Sequence, residues 1–521
     1  MLTPILNKEE SVFRNEKIFA VDAKTITLDN VLVNLFMLMR NNGKRIKLKL
    51  SKGHFHSIEN IHNYFNKLEQ TGALSGYSEN KDAIETWMRS SLVNMVFRGN
   101  VSKENVSSLR PMHLECYRIR NNKHTRDYNT ADQVFMMLSL QPTVMDSLKK
   151  YMSVGWDSQR NSIVGSGQLD VDTAGILHLM KLVNIDVDAK GAKNTVSGAP
   201  LLTKQTNLFC EDVRRLLAYQ EIIPRSVFIE YLNIIIGFHL SLYFLKLIYL
   251  LPRMVESGRV EDDDTWSILV DASGKLNSDV APLACAEMES KLNGLMEYIR
   301  ATFKIDAVQR YVCDSSSDSV AKILEIMKNP PEDFDLTFKQ RLRDIYARYK
   351  GDDAQENREG LDEYLKYEAT NFDKYIQCIM KSSRSTYQYT FSFRFLDSVA
   401  MKNKESAFLA DGRSRKTPRR AILGTKLLEV LVQLLVLSPQ EGGGYESRAL
   451  SIDELAKQLR TRYGLVVDGT KDDRYHNAEI DTQLAFKNNM EALKNKLRQI
   501  GFYADMSDAA ILQKIRPRYT I

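Results

Sequence analysis

The longest apolar stretch of the sequence, Val227 to Leu251, reads "VFIEYLNIIIGFHLSLYFLKLIYLL" and limits what the chain can fold into. It is long enough to cross a bilayer as a helix. However, Glu230, His239 and Lys246 recur through it, and each is costly in hydrocarbon. The pattern therefore favours a central helix buried on most sides inside a globular protein, and predicts no membrane span. We expect His239 to have a hydrogen-bond partner in the core and Pro252 to end the helix.

The composition is that of a folded, helix-rich protein with several domains. The 521 residues exceed what one compact core usually holds, and 43% of them are hydrophobic and 26% charged. Only 12 Pro and 25 Gly are present, which leaves few turn formers and favours helices. The five cysteines are scattered singly, and the N-terminal residues lack the apolar core of a signal peptide. These features predict a cytoplasmic protein with reduced thiols.

Turn-forming and charged segments divide the chain into four predicted regions. In residues 1–125, apolar and polar residues alternate in "KIFAVDAKTITLDN" and "RIKLKLS", which predicts short strands, and an amphipathic helix follows. We therefore predict a small mixed α/β part there. Residues 126–328 predict a helical core with one short strand that ends at Asp271. Residues 332–410 predict a charged helical region, and residues 411–521 a basic terminal domain. The predicted fold class is mainly α and multidomain.

The terminal region has the element order of a winged helix-turn-helix domain. A first helix is predicted from Leu423 to Leu437, and Ser451 has capping-box spacing to Glu454 at the start of a second. A third helix is predicted at residues 478–500, with its apolar residues on one stripe, and "FYADMSDAAILQKIRPRY" predicts a hairpin. We therefore predict a winged-helix-like domain, although the link between the second and third helices exceeds the roughly 3 to 4 residues of a strict helix-turn-helix.

The excess positive charge of the chain is concentrated in this region. Residues 411–521 hold 19 Lys and Arg against 14 Asp and Glu, whereas the rest of the chain holds 53 against 52. Such asymmetry is typical of a module that faces a polyanion. The predicted nucleic-acid-binding residues are the cations before the first helix, on the third helix and beside the hairpin: Arg413, Arg415, Lys416, Arg419, Arg420, Lys487, Lys494, Arg498, Lys514, Arg516 and Arg518. We expect them to contact duplex phosphates with low sequence preference.

Two other interpretations remain open. In the first, the terminal region docks another protein and its charges are merely solvated; Glu491 among the third-helix cations favours this interpretation. In the second, Asp271, Glu289 and Lys291 form a Mg²⁺-dependent nuclease site. The helical periodicity around Glu289 opposes the nuclease, because that geometry places its Glu and Lys on a strand. P-loop, HExxH and GxSxG motifs do not occur, and we predict no cofactor and no resident metal.

Several passages resemble a known group of proteins. "FCEDVRRLLAYQEIIPRSVFIEYLNIIIGFHLSLYFLKLIYLLPRM" and the ending built from "RRAILGTKLLEVLVQLLVL", "LSIDELAKQLRTRYGL" and "GFYADMSDAAILQKIRPRY" resemble accessory subunits encoded in bacterial anti-phage islands, in particular methylation-associated defence systems. The resemblance implies a subunit that works beside separate methyltransferase, ATPase and nuclease components, and it carries over no catalytic residue. Together with the charge pattern, it predicts a non-catalytic DNA-binding and scaffold subunit of a multi-protein defence complex.

Overall fold

The computed structural model of the chain describes residues 3–49, 58–97, 99–100, 103–165, 169–181, 186–188, 195–262, 265–312, 319–411, 418–503 and 514–521. Helices dominate these residues, which confirms the predicted mainly α fold. The first eight are α1 (Leu28–Arg40), α2 (Ile58–Gln70), α3 (Lys81–Trp87), α4 (Thr130–Ser139), α5 (Pro142–Met152), α6 (Val171–Lys181), α7 (Thr203–Leu217) and α8 (Arg225–Ser257). The others are α9 (Ala281–Asn293), α10 (Leu295–Val312), α11 (Val320–Lys328), α12 (Phe334–Ala347), α13 (Ala354–Leu365), α14 (Asn371–Lys381), α15 (Ser383–Val399), α16 (Thr425–Leu435), α17 (Ile452–Tyr463) and α18 (Ile480–Gln499).

The central element is α8, which is 33 residues long. By length and composition it would pass for a membrane span, but its most apolar window is 89% buried inside the protein, as expected for a core helix. The prediction that Pro252 ends the helix is wrong, because the helix continues to Ser257 and ends at Gly258 in the left-handed conformation. A proline removes one backbone hydrogen bond, and Met254 beyond it remains buried in the core.

The strands predicted within residues 17–30 do not form. This segment is irregular up to the start of α1. Its backbone groups bond to the region of α4 rather than to a neighbouring strand: the N–H of Ala20 donates to the Gln133 side chain at 3.1 Å, and the N–H of Asp22 donates to the Tyr128 carbonyl at 2.9 Å. Ile18, Phe19, Ala20 and Val21 are all buried, so the apolar residues of this segment reflect burial in the core on more than one side and not membership of a sheet.

The strands are short. They are β1 (Lys47–Lys49), β2 (Val93–Val96), β3 (Asn105–Leu109), β4 (Trp156–Asp157), β5 (Ser162–Ile163), β6 (Asp186–Asp188), β7 (Ile268–Asp271), β8 (Leu409–Ala410), β9 (Arg420–Ile422), β10 (Leu437–Pro439), β11 (Tyr445–Ser447) and β12 (Leu465–Val466). Among the described residues, four separate two-stranded antiparallel sheets are β1–β6, β2–β3, β4–β5 and β10–β11. A four-stranded sheet has the order β12-β7-β9-β8, with β7 parallel to both of its neighbours. The predicted strand that ends at Asp271 is thus β7, and strands from the terminal region flank it on both sides.

The three predicted terminal helices are present as α16, α17 and α18. Ser451 and Glu454 form the predicted capping box of α17, and Gly464 ends this helix in the left-handed conformation. Beyond α18, Ile515 forms an isolated antiparallel bridge with Leu450. Most of the predicted hairpin falls on residues 504–513, outside the described residues, so the winged helix stays a prediction. The link between α17 and α18 contains β12, which ties this region to the sheet.

A buried polar network fixes α17 to the central helices. Asp212 on α7 is fully buried and accepts hydrogen bonds from His239 Nε2 at 2.9 Å, from the Tyr463 hydroxyl at 2.8 Å and from the Arg462 guanidinium. His239 therefore has the partner expected for it, and Gln205 lies 2.9 Å from its other ring nitrogen. Burial alone would raise the pKa of Asp212, but the bonds from His239 and Arg462 outweigh burial and hold that pKa below its usual value.

One continuous hydrophobic core includes residues from all four predicted regions, for example Leu35, Phe244, Phe338 and Leu431. The limits at residues 125, 328 and 410 stay predictions.

Candidate nucleic-acid interface

The exposed side of α18 is fixed in place by its buried side. Phe486, Leu493 and Leu497 are buried in the core. Asn489, also buried, bridges two strands of the sheet: its Nδ2 donates to the Val270 carbonyl at 2.8 Å and to the Val467 carbonyl at 2.9 Å, and its Oδ1 accepts from the backbone N–H of Ala272. Because a buried amide with all of these bonds satisfied has one orientation, α18 presents a defined opposite side to solvent.

Three of the predicted cations lie together on one flank of α18, about a quarter-turn from its buried side. Lys487, Lys494 and Arg498 are separated by seven and four residues, which places them on one side of a helix. Lys487 is exposed. Lys494 Nζ and the Arg498 guanidinium lie 5.8 and 5.5 Å from the centre of the Tyr503 ring, so one aromatic ring holds both cations at the end of α18.

The last residues of the chain lie next to this end of α18. The N–H of Arg516 donates to the Phe502 carbonyl at 2.8 Å, directly before Tyr503. Ile515 is buried, so Lys514 and Arg516, one residue to either side, point away from the core and are exposed. We call Lys487, Lys494, Arg498, Lys514 and Arg516 the terminal basic surface. They are five of the eleven residues predicted to bind nucleic acid.

Three of the other predicted cations, Arg518, Arg419 and Arg420, have carboxylate partners. Arg518 donates to Glu429 at 2.9 Å, and Arg419 makes two bonds of 2.8 Å to Asp397. Arg420 is only 1% exposed, so it is unavailable to a phosphate, and this part of the prediction needs correction. Arg413, Arg415 and Lys416 lie outside the described residues.

Arg420 instead stabilises the sheet. Its Nε donates to Asp271 Oδ2 at 2.8 Å, across the paired strands β9 and β7. The other oxygen of Asp271 accepts from the backbone N–H and the hydroxyl of Ser273 and from the N–H of Gly274. Asp271 thus has a structural role as an ion-pair partner and as the first residue of a turn.

The nuclease geometry is not formed. Glu289 and Lys291 lie on helix α9, as the periodicity predicts, and Glu289 is exposed. Lys291 Nζ lies over the rings of Tyr249 and Trp266, at 5.5 and 5.7 Å from their centres. The part of the chain that the structure describes contains no group of three or more His, Cys, Asp or Glu side chains suited to a metal ion. These positions give no support to the nuclease alternative.

Two features of α18 were not predicted from the sequence. Lys496 Nζ points to the sheet and donates to the Leu423 carbonyl at 2.6 Å, and burial lowers the pKa of this lysine to about 8. At the other end of the helix, Ile480 and Leu484 are 85% and 53% exposed, one turn apart. Their four-residue spacing was the available signal for an exposed apolar pair.

The fold and the terminal basic surface define a helix-rich protein built around a buried central helix, with a cationic helix displayed at its C-terminal end. The family model described as "Methylation-associated defense system protein MAD7" matches residues 8–519, so the chain belongs to this family. The match confirms the resemblance to methylation-associated defence proteins that the sequence indicated. A search of the curated proteins gave no match.

Proposed function

We propose that the protein is a non-catalytic subunit of a cytoplasmic, multi-protein antiviral defence complex, and that it binds duplex DNA through its terminal basic surface. Membership of the methylation-associated defence family supports the defence role. The observation that carries DNA binding is the side of α18 on which Lys487, Lys494 and Arg498 line up and continue into Lys514 and Arg516.

The proposed mechanism is electrostatic. Cations that engage phosphates release condensed counterions from the duplex, so affinity falls as salt rises, with little dependence on base sequence. Within the terminal basic surface, Lys487, Lys514 and Arg516 are exposed on side chains that can reach outward to a phosphate backbone. A winged-helix-like arrangement would place α18 towards a groove and the last strand towards the backbone.

The same helix supports the scaffold part of the proposal. Exposed apolar side chains one turn apart, such as Ile480 and Leu484, are typical of a surface that docks a helix or groove of another protein. An ATPase, a methyltransferase or a nuclease of the same defence system is the partner that we propose. A scaffold without DNA binding is the second candidate function, and it rests on this apolar pair.

The test compares two triple variants of the full-length protein in a gel-shift series between about 50 and 200 mM salt. Lys487→Ala/Lys514→Ala/Arg516→Ala removes exposed cations of the terminal basic surface. We expect it to weaken binding to duplex DNA at least tenfold. The slope of log affinity against log salt should fall by about 0.9 for each phosphate that the variant no longer neutralises.

The matched control is Lys339→Ala/Arg343→Ala/Lys350→Ala, which removes three exposed cations of α12 and the loop after it. It changes the net charge equally and should leave binding nearly unchanged. Equal losses in both variants, or no DNA binding by the unmodified protein at low salt, would reject the DNA proposal. Co-purification with other defence proteins in the absence of DNA binding would favour the pure scaffold.

A further inference from the structure

A separate pocket of about 470 Å³ lies far from α18 in sequence, in the first third of the chain. The end of α5, the loop around His113 and the short strand β4 surround it. The N–H of Leu114 donates to the Met152 carbonyl at 2.8 Å, which holds the loop against α5. A volume of this size is within the range of small-molecule sites in proteins.

The charges of this pocket are unbalanced. Arg40, Lys149 and Lys150 line it, and Glu115 is the one acidic side chain among its lining residues. Glu115 is buried and already engaged: its carboxylate accepts from Arg40 Nε at 2.6 Å and from the Ser158 hydroxyl at 3.0 Å. The lysines, in contrast, have no ion pair among the described residues. Two positive charges are therefore left without a counter-charge in the pocket.

Two buried neutral side chains, His113 and Trp156, also line the pocket. The imidazole of His113 is buried, and its Nδ1 accepts from the N–H of Glu115 at 3.0 Å, so the proton of the neutral ring is on Nε2. Burial lowers the pKa of His113 to about 4, although a hydrogen bond with the Ser153 backbone and the Glu115 charge act in the opposite direction, so the ring is neutral at pH 7. The buried indole N–H of Trp156 has no hydrogen-bond acceptor in the described structure.

We propose that this pocket, the Lys149 pocket, binds a small phosphorylated molecule of about mononucleotide size. A phosphomonoester carries a charge of about −1.5 to −2 at pH 7, which matches the two lysines that have no counter-charge. Both lysines line the pocket on flexible side chains, and we expect their ammonium groups to contact the phosphate group while Glu115 stays paired with Arg40.

The experiment is isothermal titration calorimetry on the full-length protein, with AMP, pyrophosphate and inorganic phosphate as probes. We expect saturable binding of AMP, and a loss of about a hundredfold in affinity for Lys149→Ala/Lys150→Ala, because the variant removes two charge-assisted contacts that are each worth roughly a factor of ten.

The control variant is Lys103→Ala/Lys123→Ala, which removes two exposed lysines outside the pocket. It should bind AMP as the unmodified protein does. The proposal is overturned if none of the three probes binds, if both double variants bind equally well, or if duplex DNA displaces AMP, since displacement would make the pocket part of a nucleic-acid surface. The outcome does not depend on the terminal basic surface, so DNA binding can fail while this proposal stands.

Discussion

Lys496 differs from the other cations of α18 because it is turned inward, to the carboxyl ends of β7 and β9. Its Nζ donates to the Leu423 carbonyl, and Asp271 is the nearby charge that favours its protonated form. Burial nevertheless dominates and lowers its pKa to about 8, against an ordinary value of 10.5. Folding therefore has to desolvate a charged ammonium at neutral pH.

This gives a pH dependence with a definite sign. Between pH 8 and 10.5 the unfolded chain binds the Lys496 proton more tightly than the folded protein does, so Lys496 makes the protein more stable as pH rises through that window. Lys496→Met lacks this gain. We expect its stability relative to the unmodified protein to be best near pH 7 and to worsen towards pH 10, measured by urea unfolding. Lys487→Met, on the exposed side, is the control; a relative stability of Lys496→Met that is independent of pH would contradict the assignment.

Asp212 is the residue on which the buried polar network depends. Asp212→Asn keeps the shape of the side chain but leaves the Arg462 charge without its partner inside the protein. We expect a loss of about 3 to 5 kcal/mol in the free energy of unfolding, the usual cost of removing one member of a buried ion pair. Asp453→Asn on α17, whose side chain is 76% exposed, should cost less than about 1 kcal/mol. A similar small loss at both positions would show that the network does not hold α17 in place.

At the scale of elements, helices with local signals could be predicted and segments defined by distant contacts could not. The capping box at Ser451 marks the start of α17, and Gly464 in the left-handed conformation marks its end. Each signal lies within a few residues of the helix end that it defines. The segment at 17–30 has an alternating pattern as good as that of many strands, but its backbone partners, Gln133 and Tyr128, are about a hundred residues away. A local pattern holds no information about such partners.

The close contact between α8 and the end of α15 gives a prediction for one glycine. A Cβ added at Gly237 would lie 2.4 Å from the Val399 carbonyl oxygen and 2.9 Å from Leu28 Cδ1. Because a backbone atom cannot move away cheaply, Gly237→Ala should lower the free energy of unfolding by about 1 to 3 kcal/mol, although alanine favours helices.

Gly360, exposed within α13, is the matched helix position. Gly360→Ala should raise stability by up to about 1 kcal/mol through helix propensity. Urea unfolding of the two variants should thus give changes of opposite sign. A stabilising Gly237→Ala would mean that α8 and the end of α15 are not in contact as described.

For the whole molecule, the net charge of each region shows that the C-terminal end of the chain is cationic. It does not show which of these cations are free to contact a ligand. Helical spacing alone brought Lys487, Lys494 and Arg498 together correctly. The sequence pattern also predicts Arg419 and Arg420 on this surface. Their carboxylate partners, Asp397 and Asp271, lie 22 and 149 positions earlier in the chain, so the pattern does not show that these two charges are paired. Neutralisation by a distant carboxylate is a property of the tertiary fold, so the sequence overestimates the exposed charge.

Because β7 lies between β9 and β12, which both come later in the chain, the sheet around β7 can form only late in translation. Asp271 leaves the ribosome 149 residues before Arg420, its ion-pair partner. At about 5 to 20 residues per second, the nascent chain carries the apolar strand for roughly 7 to 30 s without β9, and for longer without β12. Both edges of the strand are open during that interval, and an open apolar edge is a substrate for chaperones and for unwanted pairing with other chains. Growth conditions that slow translation should therefore lengthen the period in which this protein is vulnerable to aggregation.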